Sequence, residues 1–163
     1  MPDVPELIRL LNLEPHPLEG GYYRETYRSD APGTGGSARR AVATAIYYLL
    51  TPDTRSAPHR LPADELFHFY LGDPVEMLQL HPDGTSAVLM IGTDLAAGMR
   101  PQVLVPAGVW QGSRLVPGGR FALLGTTMAP GFDPAGYEAG DIEALGAAYP
   151  EHRERILDLG RRP

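Results

Sequence analysis

Cysteine and lysine are both missing from this 163-residue chain. Without cysteine there are no disulfides, no thiolate metal ligands and no thiol nucleophiles, and the redox compartment is left undetermined. Without lysine all fourteen basic residues are arginine, which excludes Schiff-base chemistry, covalent attachment of pyridoxal phosphate and the phosphate-binding lysine of a P-loop. The phosphate-friendly stretch Gly33-Thr-Gly-Gly-Ser37 lacks both that lysine and a preceding apolar strand, and reads as a mobile loop. Positive charge is also scarce, with a net charge of −6, so no basic field exists to hold nucleic acid or anionic lipid. The pairs Arg39-Arg40 and Arg161-Arg162 read as a solvated loop and tail. Long apolar runs are missing too. The longest, Ala41 to Leu50, is interrupted by Thr44 and falls short of the roughly 20 residues that a membrane helix needs. Asp3 and Glu6 stand where a secretory signal would be basic and then apolar, so a cytoplasmic protein without a leader is expected.

What is present fits one domain with a core of ordinary size: 43% of residues are hydrophobic and 21% charged. Asp3-Val-Pro-Glu6 places an acceptor three residues before a Glu with proline in the first turn, a helix start. Leu7, Leu10 and Leu11 follow at helical spacing, and Pro15 is the expected stop. From Gly20 the texture changes to short runs of Tyr, Val, Ile, Thr and Phe between Gly, Pro and Asp clusters. Strands are predicted at Gly21–Arg28, Val42–Leu50, Glu65–Gly72, Val75–His81, Ser86–Ile91, Gln102–Val105 and Arg120–Met128, with a hairpin turn at His81-Pro-Asp-Gly-Thr85. Several strands are apolar on both faces, such as Phe121-Ala-Leu-Leu124, as in two packed sheets or a barrel pressed on a partner. The tail returns to helix, with Asp141 capping Ile142–Tyr149 and Pro150 opening Glu151–Leu159 before Gly160. An all-β sandwich or barrel is therefore expected over residues 19–130, preceded by a helix and linker over 1–18 and followed by a helical tail over 131–163.

The chemistry concentrates in His59-Arg-Leu-Pro-Ala-Asp-Glu-Leu-Phe-His-Phe-Tyr-Leu-Gly72 and Pro106-Ala-Gly-Val-Trp-Gln111. An imidazole and a carboxylate flank a Pro-Ala-Asp turn, and a second turn delivers an amide. Residues two apart in a strand share a face, so Glu65, Phe67 and Phe69 line one side and Leu66, His68 and Tyr70 the other. A Glu facing a barrel interior between rings must be paired, hydrogen-bonded, metal-bound or neutralised. His59 and Glu65 are the candidate catalytic residues. Arg24, Tyr48, Ser56, Arg60, His68, Trp110 and Gln111 are the candidate ligand contacts. Gln111 is expected to face the cavity in preference to Trp110, whose alternative is to close a core. Arg24 can grip an anion at the rim or pair with Glu25. His16, between two prolines, reads as a loop residue.

These residues resemble a known family. The first segment is similar to cupin motif one, in which a His-x-His pair precedes a Glu and a Gly closes the strand; the second is similar to motif two, Pro-x-Gly-x-x-His. Together with Glu19-Gly-Gly-Tyr-Tyr-Arg24 and Ala129-Pro-Gly-Phe132, they resemble the uncharacterised cupin-5 branch (the DUF985 group) over about residues 5 to 145. The resemblance implies a double-stranded β-helix, the cupin jelly-roll barrel, and pairing of barrels into a homodimer. His59 corresponds to the first cupin His and Glu65 to the cupin Glu, while Leu61 and Gln111 stand where two further His would be. A divalent metal on His59, Glu65 and Gln111 would have two strong ligands and one weak one, a poor site for zinc or iron. His68 would join them only through a bulge. No cofactor is required by the alternative that the resemblance suggests. The dTDP-sugar 3,5-epimerases use a similar barrel without metal, removing a proton next to a ketone with a His base held by an Asp and a Tyr as acid. His59 with Asp64 or Glu65 meets the first need, and Tyr22, Tyr23, Tyr48 and Tyr70 are candidates for the second.

Three functions stay open: a metal-independent isomerase or epimerase of a small polar, sugar-like or anionic ligand, a non-catalytic binder of such a ligand, and a metal-dependent cupin enzyme. The two-sided apolar strands predict a homodimer that covers them.

Overall fold

The computed structural model describes residues 2–29 and 40–161. The loop expected at Gly33–Ser37, Arg39 and Arg162 lie outside the described residues.

The helix α1 (Val4–Leu11) begins where expected, with the Asp3 carboxylate accepting from the Glu6 amide at 2.9 Å. It ends before Pro15, because Asn12 turns left-handed at φ 50°. Leu7 is buried with Val4, Ile8 and Leu11 beside it, whereas Leu10, expected on the packed face, is exposed. Positions 4, 7, 8 and 11 make the apolar stripe.

Among the described residues eleven strands follow in chain order: β1 (Glu14–Pro15), β2 (Tyr22–Arg28), β3 (Thr44–Leu50), β4 (Ser56–Arg60), β5 (Glu65–Gly72), β6 (Val75–Leu80), β7 (Ser86–Ile91), β8 (Gln102–Val105), β9 (Trp110–Leu115), β10 (Ala122–Met128) and β11 (Glu138–Ala139). They form two antiparallel sheets, ordered β1-β2-β3-β10-β5-β8 and β11-β4-β9-β6-β7, packed face to face as the cupin jelly roll. The sequence predicts seven of them and omits β1, β4, β9 and β11. Two of these, β1 and β11, are pairings of two residues each, and the other two have local causes. Strand β4 contains Pro58, which has no amide to give the ladder and lies where the register with β9 shifts. Strand β9 carries Gln111-Gly-Ser, which lacks the residues that favour a strand. The His81–Thr85 turn joins β6 to β7, with the Asp83 carboxylate accepting from the Thr85 amide and hydroxyl at 2.9 and 2.6 Å.

The main core lies between the sheets, where Tyr48, Leu50, Phe67, Val75, Met77, Ile91 and Leu124 are almost fully excluded from solvent; each such side chain contributes about 1.5–3 kcal/mol of burial. The two-sided apolar strands find their second cover largely within the chain. The helices α2 (Ile142–Ala148) and α3 (Arg153–Leu159), with a 3₁₀ turn at Pro150–His152 between them, lay Leu145, Tyr149, Ile156 and Leu159 over Leu78 and Leu80. On the other sheet, Leu7 and Leu13 cover Leu49, Phe121 and Leu123. Much of the surface that had argued for a partner is thus buried intramolecularly, and Tyr70 and Leu104, 51% and 49% exposed, are left on the outside.

Register positions the site. His59 on β4 pairs with Gln111 on the neighbouring β9, while Glu65 opens β5 in the opposite sheet, beside Met128 and Val105. Glu65 of the first cupin-like segment therefore faces His59 of the same segment and Gln111 of the second across the sandwich.

Candidate functional site

A hollow of about 470 Å³ of empty space, part of it open to solvent, lies at this end of the barrel, lined by His16, Glu19, His59, Glu65, Thr126 and Tyr137 among others. His59 is 1% exposed, and its Nδ1 lies 2.7 Å from the Ala57 carbonyl. A carbonyl only accepts, so Nδ1 carries a proton. The other ring nitrogen, Nε2, faces Glu19 Oε2 at 3.2 Å, and the Tyr137 ring stacks on the imidazole at 5.1 Å.

Glu19 is held from several sides. Its Oε2 accepts from the Ser56 hydroxyl at 2.8 Å, and its Oε1 lies 3.3 Å from His16 Nε2. The His16 Nδ1 accepts from the Leu18 and Glu19 amides at 3.3 and 3.2 Å, which places that ring's proton on Nε2, pointing at Glu19. One carboxyl thus sits between two imidazoles. The contact with His59 requires a proton between oxygen and nitrogen. Burial pushes the Glu19 carboxyl up, against the pull of His16 and the Ser56 hydrogen bond. Burial pushes His59 down, against the nearby Glu65 charge and the Ala57 bond. Both moves favour an uncharged pair sharing one proton.

Glu65 completes the group. Gln111 Nε2 donates to its Oε2 at 2.7 Å. Burial first, then the charge of Glu19, raises its pKa, while His59, Gln111 and Thr126 pull it back. The loop carrying His16 and Glu19 is also a wall. These two residues and Tyr137 line an outer cleft of about 1220 Å³, including open solvent, which Thr54, Arg55 and Arg161 also line.

Of the residues singled out in the sequence, His59 and Glu65 converge on the hollow, Gln111 supports Glu65 from behind, and Ser56 fastens Glu19. Tyr48 is buried, with its hydroxyl donating to the Gly20 carbonyl at 2.8 Å; it props the same loop. The other four do not reach the hollow. His68 faces outward, between Thr127 Oγ1 at 3.2 Å and Gln102 at 3.3 Å. The bulge that would have turned it inward falls instead opposite Leu123 and Leu124. Trp110 packs toward the helical tail under the Arg60 guanidinium, 4.5 Å away, and Arg60 pairs with Glu138 at 2.7 Å. Arg24 donates to the Leu11 carbonyl at 3.2 Å, and Glu25 pairs with Arg28 instead. Asp64 accepts from the Ala107 amide at 2.8 Å and holds the second turn, away from His59. Sequence reasoning missed Glu19, His16 and Tyr137 as site residues. The signal for Glu19 was an acid directly before Gly-Gly; for Tyr137, far along the chain, there was none.

The metal set expected from the resemblance fits poorly. Gln111 turns its amide N–H, not its oxygen, toward Glu65, and His59 Nε2 is engaged by Glu19. Leu61, with no lone pair to offer, lines the hollow at the second His position. Among the described residues no three His, Asp or Glu side chains are grouped to hold an ion, and no step below passes through one.

The titrations predict opposing slopes of stability with pH. A carboxyl raised by folding leaves the folded chain holding more protons than the unfolded one, so its contribution is present below the ordinary value of 4.5 and is lost as pH rises through the folded pKa. An imidazole lowered by folding contributes above its ordinary 6.5 and loses that contribution as pH falls. Glu65→Gln is therefore expected to raise stability relative to wild type on the alkaline side and to leave the acid-side loss in place. Urea midpoints across the pH range check this, and a wild-type-to-variant difference independent of pH would remove the assignment for Glu65.

Residues 5–140 match the family described as Cupin superfamily (DUF985). The uncharacterised protein YML079W of Saccharomyces cerevisiae is 33% identical over 129 residues, covering 71% of this chain and 64% of the yeast protein. The chain thus spans less than two thirds of that curated relative's length. Protein SO0799 of Shewanella oneidensis has the same fold at TM-score 0.89 and 39% identity, with 100% of both chains covered. A hypothetical protein from Leishmania major follows at TM-score 0.86 and 30% identity, with 96% and 98% covered. Oxalate decarboxylase from Bacillus subtilis, at TM-score 0.55 and 14% identity over 93% of this chain and 39% of that one, shares the fold alone. Among the described residues, no helix is long and apolar enough to cross a membrane.

Proposed function

Because this chain belongs to the DUF985 branch of the cupin superfamily, whose fold serves many chemistries, we propose from its own site that it is a metal-independent isomerase or epimerase, moving a proton next to the carbonyl of a small sugar-like molecule. One observation carries the reading: a buried imidazole with Nδ1 tethered presents Nε2 to a carboxyl, in a hollow that a second carboxyl shares. This is the arrangement that general acid–base chemistry needs.

In the step proposed, Glu19 first gives up the proton it shares with His59 and the substrate C–H takes its place before Nε2. Nε2 then takes the proton from carbon, and the resulting imidazolium is stabilised by Glu19 as carboxylate. Glu19 also faces the outer cleft, so its own proton has a route to solvent. Glu65, kept protonated by burial, donates to the oxygen that gains charge. When His59 returns the proton to the neighbouring carbon and Glu65 recovers one from the hydroxyl there, the isomer forms. When water protonates the other face of the first carbon, Glu65 recovers its proton from the enol oxygen, the His59 proton passes to the hydroxide left behind, and the epimer forms. The parallel with the dTDP-sugar 3,5-epimerases lies in this use of a base held by an acid. Of the four tyrosines weighed as acid, Tyr23 lines the hollow, but its hydroxyl is hydrogen-bonded to Glu14; it contributes a wall, and Glu65 takes the acid's part. Among the described residues no arginine lines the hollow, which argues against the nucleotide portion of a sugar nucleotide and against anionic ligands in general.

The test is incubation in heavy water with D-fructose, D-ribulose and D-xylulose, following by NMR the exchange of the proton beside the carbonyl. A second reading, a non-catalytic binder, is favoured by the contact that Nε2 already has with Glu19, as in a structural core histidine. A sugar that binds without exchanging deuterium would establish it.

We also propose that a second copy of the chain covers the face bearing Tyr70 and Leu104, the apolar surface that the helices leave open. Light scattering at micromolar concentration should give about twice 17.7 kDa. The mass of a single chain would remove the dimer.

A further inference from the structure

Among the described residues, the charged and titratable side chains that line the hollow, tyrosines aside, are all acids or imidazoles: Glu19, Glu25, Glu65, His16 and His59. At the rim Glu25 is matched by Arg28, whose guanidinium donates to both carboxylate oxygens at 2.9 and 2.8 Å. Deeper in, Glu19 and Glu65 have no such partner. They are met by the Ser56 hydroxyl, the Gln111 amide, Thr126 and the two imidazoles. The rest of the wall is apolar or aromatic, including Ile46, Leu61, Met128, Phe132, Tyr23 and Tyr137.

Two consequences follow for a ligand. An anion entering here meets two acids and finds no guanidinium, so it loses its hydration without compensation. A cation meets the reverse. It supplies the positive charge that lets a buried carboxyl ionise, its N–H groups donate to charged oxygens, which makes the stronger class of hydrogen bond, and the faces of aromatic rings attract it.

From the hollow's lining we propose that it selects a small organic cation, an amine with a short apolar body, its charged head toward Glu19 and Glu65 and its body against Tyr137 and Phe132. This deepens the functional reading by naming the substrate class, an amine-bearing carbonyl compound where catalysis occurs. It depends on the hollow being a ligand site, not on its being catalytic.

The test uses four probes on the full chain by isothermal titration: n-butylammonium, tetramethylammonium, n-butanol and butyrate. Butylammonium is expected to bind on the order of tenfold or more tightly than butanol, and butyrate is expected to bind more weakly than either. Affinity for both ammonium probes should rise with pH above the ordinary carboxyl value of 4.5, as Glu19, raised by burial, and the imidazoles of His16 and His59 that face it give up protons, while the alkylammonium itself stays charged up to about pH 10. Tetramethylammonium has no proton to lose, so its trend belongs to the protein. Glu65→Gln and Glu19→Gln should each weaken the ammonium probes, while Glu138→Gln, outside the hollow, should not. Butyrate binding as tightly as butylammonium, equal affinity for butanol and butylammonium, or no binding of either ammonium overturns the proposal. If Glu19→Gln fails to fold by circular dichroism, the ranking of probes on the wild-type chain still decides. Ammonium binding without deuterium exchange into any of the ketoses or into an amino ketose, 1-amino-1-deoxy-D-fructose, would sink catalysis and leave this inference standing. Exchange together with a preference for butyrate would do the opposite.

Discussion

His59→Asn is expected to lower deuterium exchange into a bound ketose by about 10²- to 10⁴-fold, the usual contribution of a positioned general base. The asparagine side chain is too short to carry a donor to the Ala57 carbonyl and an acceptor to Glu19 at once, the two contacts that His59 makes at 2.7 and 3.2 Å. It also removes the ring stacked on Tyr137, so some stability goes with it, roughly 1–3 kcal/mol for a buried polar position. The two effects separate experimentally. A variant that keeps its circular dichroism spectrum and still binds ligand, but no longer exchanges, assigns His59 to the chemistry. Exchange at the wild-type rate in a folded variant removes the base from the mechanism. Wholesale unfolding would mean that the residue serves the core first.

Gly20→Ala is expected to cost about 2–4 kcal/mol, an unfavourable left-handed backbone plus a backbone clash. That corresponds to a fall of roughly 5–15 °C in melting temperature for a chain of this size. Gly20 has φ +98°, and a methyl group there would overlap the Arg55 carbonyl oxygen. Neither partner is free to yield. The Gly20 carbonyl accepts from the Tyr48 hydroxyl at 2.8 Å, and the Ala57 amide donates to the Glu19 carbonyl at 2.8 Å. The substitution therefore pushes directly on the loop that presents Glu19 to His59 and His16. Ammonium affinity should fall along with stability. Gly84→Ala is the control. It has a similar φ of +87° at the tip of a hairpin, with nothing within 4 Å of the added methyl, and should lose about 1–2 kcal/mol with ligand affinity intact. Equal losses in the two variants, in stability and in binding, would mean that the wall loop has no special place in the site.

The local rules were legible and most of them held. The alternation within Glu65–Gly72 separates Glu65 and Phe67 from His68 and Tyr70, and the structure buries the first pair and turns the second outward. Gln111, expected to face the cavity, is buried behind Glu65 and does not line the hollow. The helix start at Asp3, the hairpin at His81–Thr85 and the cap at Asp141 follow from hydrogen bonds within a few residues. Besides the two-residue β1 and β11, the strands that escaped are β4 and β9, whose own residues disfavour a strand and whose neighbours in the sheet impose one. Arg24 and Arg60 were candidates because arginine grips anions, yet each found a nearer partner on the surface, in the Leu11 carbonyl and in Glu138.

What the chain's order of residues determined alone is thus the short-range part: which chemistries are impossible, which face each strand turns to the core, and that one imidazole and one acid project toward a common interior. Only the folded sandwich decided the rest. It brought Glu19 and His16 from about forty residues upstream and Tyr137 from nearly eighty downstream against His59, and it covered the outer faces of the strands with the chain's own helices. Strand alternation repeats every two residues and can be read locally. The meeting of distant loops depends on sheet order, on register and on which surfaces compete for burial, and none of those is a property of any short stretch of sequence.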